Sequence, residues 1–300
     1  MVQQKIIVIV GPTASGKSDL SIKLARKFNG EVISADSRQV YRGMDIGTGK
    51  VTKKEQKLVP HHLLNIANPK IIFSVSKFKK LAQQKIKDIL KRNKLPIIVG
   101  GTGQYIDTLI YDLALPEVPP NYKLRAKLEK QSTEQLFARL QKLDPERANN
   151  IDRYNPRRLI RALEIVISTG KPVPFWSTNP YSLSPKHYNV LWLGLNPKDL
   201  DKRISTRLSA RTKQGMIAEI KKLHIAGVSW KRLYDFGLEY RWIASYLKNE
   251  ISKIKMEEEL LRAINQYSKR QMTWFKRNKK INWLSSLNKA EILTAKFLKS

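Results

Sequence analysis

Three hundred residues are enough for one large domain with a true core and an insertion, and 57 Lys and Arg against 25 Asp and Glu give a formal charge of +32. That excess exceeds what solubility needs and points to an acidic polymer, with nucleic acid ahead of an anionic membrane, since no apolar run reaches the length of a span, and a generally basic proteome as the remaining alternative. The absence of cysteine excludes disulfides and thiolate zinc sites and fits a cytoplasmic location.

The chain enters a strand at once, with no leader segment expected: Ile6, Ile7, Val8, Ile9 and Val10 are an unbroken β-branched run. Gly11, Pro12, Thr13, Ala14, Ser15, Gly16, Lys17 and Ser18 then match G-x-x-x-x-G-K-[ST], and helical spacing follows at Leu20, Leu24 and Phe28. Gly11 and Gly16 let successive backbone N–H groups turn inward on a phosphate, and the helix adds its positive end. Lys17 supplies a point charge for the outer phosphate, and Ser18 a hydroxyl for a magnesium ion. A nucleoside triphosphate is the default ligand of such a loop.

A second strand, 31–34, ends at Ala35 and Asp36; strand carboxyl ends line the ligand crevice of open α/β sheets, so Asp36 is expected near the loop, with a turn or cap role as the alternative. Residues 37–50 are glycine-punctuated and irregular. His61 and His62 are adjacent, without the spacing of a metal pair, and are expected to be structural or substrate contacts. A helix at 76–91, with Phe78, Ala82, Ile86 and Ile89 on one side, leads to a buried strand at 95–99. The glycine turn after it, 100–105, holds Thr102, which either donates to a phosphate oxygen or caps the next helix.

From residue 117 to 190 helical patterns replace strands, as in an inserted lobe. Asn155-Pro156 starts a helix with Leu159, Leu163, Val166 and Ile167 on its apolar face and Arg157, Arg158 and Arg161 opposite, a face suited to phosphate or simply solvated. A connector (Lys171 to Trp176) leads to a returning strand at 188–195. A helix is expected over 199–223; its Arg203, Arg207 and Arg211 at i, i+4 spacing repel one another unless anions neutralise them. Residues 236–241 read as a loop, and 256–277 as a long helix exposing Arg262, Lys269, Arg270, Lys276 and Arg277. The fold class is thus α/β: a P-loop NTPase-like parallel sheet flanked by helices (1–116 and 191–300) with an all-helical insertion (117–190).

In order, GPTASGKS at 11–18, ISADSRQVYRGMDIGTGK at 33–50, PHHLL at 60–64, IVGGTGQY at 98–105, NPRRLIRALEI at 155–165, the R-x-x-x-R run at 203–207 and KRQMTWF at 269–275 resemble the signature blocks of the tRNA dimethylallyltransferase (tRNA isopentenyltransferase) family, bacterial type. The resemblance implies prenyl transfer from dimethylallyl diphosphate to N6 of the adenosine 3′ to the anticodon, with release of diphosphate. The loop from Gly11 to Ser18 would then hold diphosphate with magnesium, not a hydrolysed nucleotide. Asp36 would be the general base, Thr102 would contact the bridging oxygen, and Arg207 would face the loop across the diphosphate. Asp36, Ser37, Arg38 and Gln39, with Arg157, Arg158, Leu159, Ile160 and Arg161, would contact the tRNA anticodon stem-loop. A monomer is the family expectation. The chain departs from the family pattern at Arg211, where methionine is usual, and at Gly237-Leu238-Glu239-Tyr240, where a glycine-tyrosine pair is common. The zinc-binding extension of eukaryotic relatives is not expected without cysteine.

Two other classes share some of these features. A P-loop kinase of a small metabolite has the same first βα unit but no use for the arginine helices. A non-catalytic RNA-binding protein explains the charge but not Lys17, Asp36 and Thr102 together.

Overall fold

The computed structural model describes residues 4–116, 118–173 and 180–300; Glu117 and the connector residues Pro174, Phe175 and Trp176 lie outside them. Six parallel strands, β1 (Gln4–Val10), β2 (Gly30–Ser34), β3 (His61–His62), β4 (Leu95–Val99), β5 (Tyr188–Gly194) and β6 (Asn282–Trp283), form one sheet in the order β3-β2-β4-β1-β5-β6. A parallel sheet has both faces covered, and β1, β2 and β4 are accordingly almost wholly buried, apolar throughout β4 and most of β1. Ile7 and Ile9 pack with Leu20 and Leu24 of α1 (Lys17–Lys27), Val32, Ile97, Leu191 and Leu193. Their alternates Ile6, Val8 and Val10 are equally buried, on the opposite face.

The sheet unit runs to Asp112 and resumes at Tyr181; a second compact unit spans Leu113–Pro180. The lobe therefore ends before residue 190: Tyr181 donates its hydroxyl to Asp107 at 2.9 Å and packs edge-on against Tyr111, which assigns the stretch before β5 to the sheet unit. Between the early strands lie α2 (Lys53–Leu58), α3 (Val75–Lys91) and α4 (Gly103–Ile110). The lobe consists of α5 (Tyr122–Leu128), α6 (Thr133–Leu143), α7 (Pro145–Asn149) and α8 (Pro156–Thr169). Its core joins Leu128, Leu136, Leu140, Leu159, Ile160 and Leu163. The fully buried Glu164 is matched by Arg125 at 2.7 Å, Arg161 at 2.5 Å and the Asn121 amide at 2.7 Å, and these partners hold its carboxyl below the usual range against the cost of burial.

After β5 come α9 (Leu200–Lys213), α10 (Met216–Ile225), α11 (Trp230–Phe236), α12 (Leu238–Leu247), α13 (Lys253–Lys276) and α14 (Leu287–Lys299). The single helix expected over 199–223 is two: Gly215, at φ 98°, reverses the chain between α9 and α10 in a conformation that a side chain disfavours. The loop expected at 236–241 is reduced to Gly237 between α11 and α12. The histidines are structural. His62 meets the buried Glu31 at 2.7 Å, which also binds Arg92 and Lys94, and His61 Nδ1 lies 2.7 Å from the Val59 carbonyl oxygen. Arg92, before Lys94 and His62, holds Glu31 well below the usual carboxylate range, and Glu31 through His62 and Arg92 ties β2 to β3 and to the end of α3.

Candidate active site

Strand pairing brings three loops together. β4 lies between β2 and β1, with Val99 opposite both Ser34 and Ile9, so the turns after these strands leave the sheet side by side. The Ala35 amide donates to Val99 O at 2.7 Å, the Gly100 amide to Ile9 O at 3.3 Å, and the Leu195 amide to Val10 O at 3.0 Å. Asp36, Thr102 and the loop from Gly11 to Ser18 are therefore neighbours by topology.

In the phosphate loop, Ala14 at φ 61° and Gly16 at φ 93° reverse the backbone twice just before α1. Alternation of this kind turns amides inward into an anion-binding nest at the positive end of a helix. Lys17 folds back over its own loop, donating to Pro12 O at 2.5 Å and to Ser15 Oγ at 3.5 Å. Burial, then the positive Arg207, pushes Lys17 down to about 7, while Asp36 pulls the other way. The Thr13 amide, however, is already engaged at 2.8 Å by the side chain of Gln271 from α13, so the free amides of the cradle begin at Ala14.

Asp36 Oδ1 accepts the amides of Arg38 at 2.8 Å and Gln39 at 3.2 Å, which fixes the carboxylate at the tip of a turn; no helix follows for it to cap. Thr102 stands at the N-terminus of α4 but makes no capping bond with its side chain. Its Oγ1 instead accepts the Ser37 amide at 3.1 Å and lies 3.5 Å from Ser37 Oγ, joining the β2 and β4 turns. The capping alternative is thereby excluded. Arg38 donates Nε to Phe236 O at 2.8 Å and lies over that ring, and Gln39 bridges Ser34 and Thr48, so both side chains brace the turn from within the protein.

The arginine row of α9 resolves differently from the expected anion-neutralised stripe. Arg203 pairs with Asp199 at 2.8 Å on the exposed side. Arg207 donates to Gly49 O at 2.9 Å, and Arg211 is buried between Gly47 O at 2.7 Å and Glu239 at 2.9 Å. Carboxylates of the protein itself pair Arg203 and Arg211, whereas Arg207 is held by a backbone carbonyl and keeps its charge unpaired by a carboxylate in these bonds. Burial, followed by Arg211, holds Arg207 below the usual guanidinium range. The 45–50 loop that receives these arginines wraps the Glu219 carboxylate, which accepts the amides of Asp45 at 2.9 Å, Ile46 at 2.6 Å and Gly47 at 3.0 Å. Removing Glu239 strands a buried guanidinium, so Glu239→Ala is expected to lower unfolding free energy by about 3 kcal/mol, whereas Arg211→Met with Glu239→Gln should cost far less. Denaturant unfolding of both variants checks this.

In the lobe, Arg157 and Arg158 are exposed on α8, Arg161 turns to Glu164 and Val118 O, and Leu159 and Ile160 are in the core. The last two side chains are thus removed from any surface contact. Their helical spacing had already placed Leu159 on the apolar face. Gln271 is the residue that sequence reasoning missed. It lies in the quoted KRQMTWF block, but nothing in a polar residue within a basic stretch signals a partner 258 positions away.

Residues 39–278 match the family model for IPP transferase. The chain is 44% identical over 284 residues to the tRNA dimethylallyltransferase 1 of Geotalea daltonii, covering 93% of this chain and 90% of that protein. It also resembles the crystal structure of the full-length tRNA isopentenylpyrophosphate transferase of Bacillus halodurans, with a TM-score of 0.72, 37% identity and coverage of 99% and 97%. A eukaryotic dimethylallyltransferase crystallised acting on tRNA gives a TM-score of 0.72 at 28% identity, covering 98% of this chain and 77% of that one. With the family model matching far more than half its length and close relatives spanning nearly all of it, the chain belongs to the IPP transferase family.

Proposed function

We propose that the chain transfers the dimethylallyl group of dimethylallyl diphosphate to N6 of the adenosine 3′ to the anticodon of tRNA. The observation that carries this reading is the convergence of a phosphate loop, a turn-tip carboxylate and a non-capping threonine on adjoining strand ends. The N6 amine attacks C1 of the donor, the C1–O bond breaks, and diphosphate departs with the electron pair. The exocyclic amine is a weak nucleophile because its lone pair is delocalised into the ring, so Asp36 orients it and accepts its proton. Thr102 donates to the bridging oxygen, and Lys17, Arg207 and the amides from Ala14 onward hold the charge that develops on the leaving group. To reach this site the adenosine leaves the anticodon-loop stack. The exposed Arg157 and Arg158 serve as phosphate contacts, and a monomer suffices.

Among the described residues no group of three His, Cys, Asp or Glu is placed to hold a metal. A cation here must take most of its ligands from diphosphate and water, which is the habit of magnesium. Ser18, half-buried in the first turn of α1, would be its protein ligand, and the ion would neutralise leaving-group charge.

A transfer assay tests the reading: radiolabelled dimethylallyl diphosphate, magnesium and an anticodon stem-loop, with ATP and candidate metabolites in parallel. Label entering the RNA, and lost when that adenosine becomes guanosine, is the expected result. ATP consumption without transfer would return the loop to a kinase role, and RNA binding without either reaction would leave the non-catalytic reading.

A further inference from the structure

Gln271 is buried, with 6% of its surface exposed, and both ends of its amide are used. Oε1 accepts the Thr13 amide of the phosphate loop at 2.8 Å, and Nε2 donates to Gly101 O of the β4 turn at 3.0 Å. The fit is close enough that a Cβ on Gly101 would stand 2.1 Å from Nε2. One turn later on α13, the Trp274 indole donates to Asp107 of α4 at 2.8 Å and covers Gly103, where a Cβ would meet the ring at 2.3 Å. α13 is thus pinned to α4 at the level that delivers Gln271 to the two glycine turns. Those turns carry the two halves of the donor site, the amide cradle on one side and Thr102 on the other.

We propose that Gln271 is a positioning residue of the transfer reaction: it clasps the phosphate loop to the Thr102 turn and so sets the spacing between the diphosphate cradle and the hydroxyl that meets the bridging oxygen. It acts through the backbone of Thr13 and Gly101 and touches no reacting atom. A primary amide is the group that fits, because the clasp needs an acceptor facing an N–H and a donor facing a carbonyl on one planar unit. The inference rests on the transfer reading given above.

The test compares the parent with Gln271→Ala, Gln271→Glu and Gly101→Ala, using donor KM and kcat at saturating stem-loop RNA and, independently of any transfer, calorimetric binding of inorganic diphosphate. Gln271→Ala is expected to raise donor KM and weaken diphosphate binding by about tenfold, the size of a lost buried hydrogen-bond pair, with RNA KM moving less than about threefold. Gly101→Ala, which pushes the amide away, should reproduce that pattern. Gln271→Glu keeps the shape and is the diagnostic variant. Ionised, it sets an oxygen against Gly101 O and a negative charge beside the donor; protonated, its O–H replaces the lost donor. Its donor KM relative to the parent at the same pH should therefore fall as pH drops from 8 to 5.5. A residue that merely stabilises the fold would shift Tm and leave this ratio flat. Diphosphate affinity and donor KM within about twofold of the parent in both Gln271 variants, or a pH-independent Gln271→Glu ratio, would overturn the proposal. A parent whose diphosphate affinity depends on Gln271 but that transfers no prenyl group would sink the transfer reading instead.

Discussion

Replacing Asp36 by asparagine is expected to lower single-turnover transfer by about 10³-fold while RNA affinity changes less than about threefold. The asymmetry follows from the turn. Asparagine retains an Oδ1 able to accept the Arg38 and Gln39 amides, so the 36–39 backbone and the Ser37–Thr102 bond stay in place. What it loses is the capacity to take the N6 proton. Asp36→Ala removes the turn's acceptor as well, and its larger fall in stability separates the structural share from the chemical one. Single-turnover rates at saturating RNA, with filter binding of the same stem-loop, make the comparison. Transfer by Asp36→Asn above a tenth of the parent rate would remove Asp36 from the general-base role.

Lys17→Met should abolish measurable donor use, a loss on the order of 10²–10³ in kcat/KM, and at the same time make the protein more stable near neutral pH. In the folded chain Lys17 titrates at about 7, against an ordinary 10.5, because it is buried and faces Arg207. Between those values the unfolded chain binds more protons, so stability rises with pH across that window, and the cost of the charged lysine is fully present below pH 7. Methionine relieves the cost. The Tm gain of about 2–3 °C should thus be largest at pH 6 and shrink by pH 9, where the parent lysine is already neutral in the fold. The same titration predicts that Lys17 gains more protonation on binding diphosphate at pH 8 than at pH 6, on top of the ligand's own proton exchange, which calorimetry in buffers of different ionisation enthalpy checks. A Lys17→Met protein less stable than the parent at pH 6 would contradict the buried-cation account.

The phosphate loop, the strands at β1, β2 and β4, and the places of Asp36 and Thr102 were legible in the sequence because each depends on a few consecutive residues. An apolar run specifies a buried parallel strand, and a turn after it lies at the crevice by topology. The break at Gly215 was also legible: a glycine after Gln214 is an ordinary helix stop. Leu159 and Ile160 illustrate the opposite error, in which a block matched as a unit drew core residues into a surface role.

The sequence alone determined the α/β class, the glycine-bounded loop between β1 and α1 and the family, since these reside in local backbone chemistry, composition and ordered motifs. Tertiary structure alone decided how the charges and amides are used. How Arg207 and Arg211 are engaged depends on Gly47, Gly49 and Glu239. Whether Thr102 caps or reaches across depends on Ser37. That Gln271 meets the Thr13 amide depends on α13 docking against α4. Such bonds join groups far apart in the chain, and a donor or acceptor carries no mark of its partner until packing brings the two within about 3 Å.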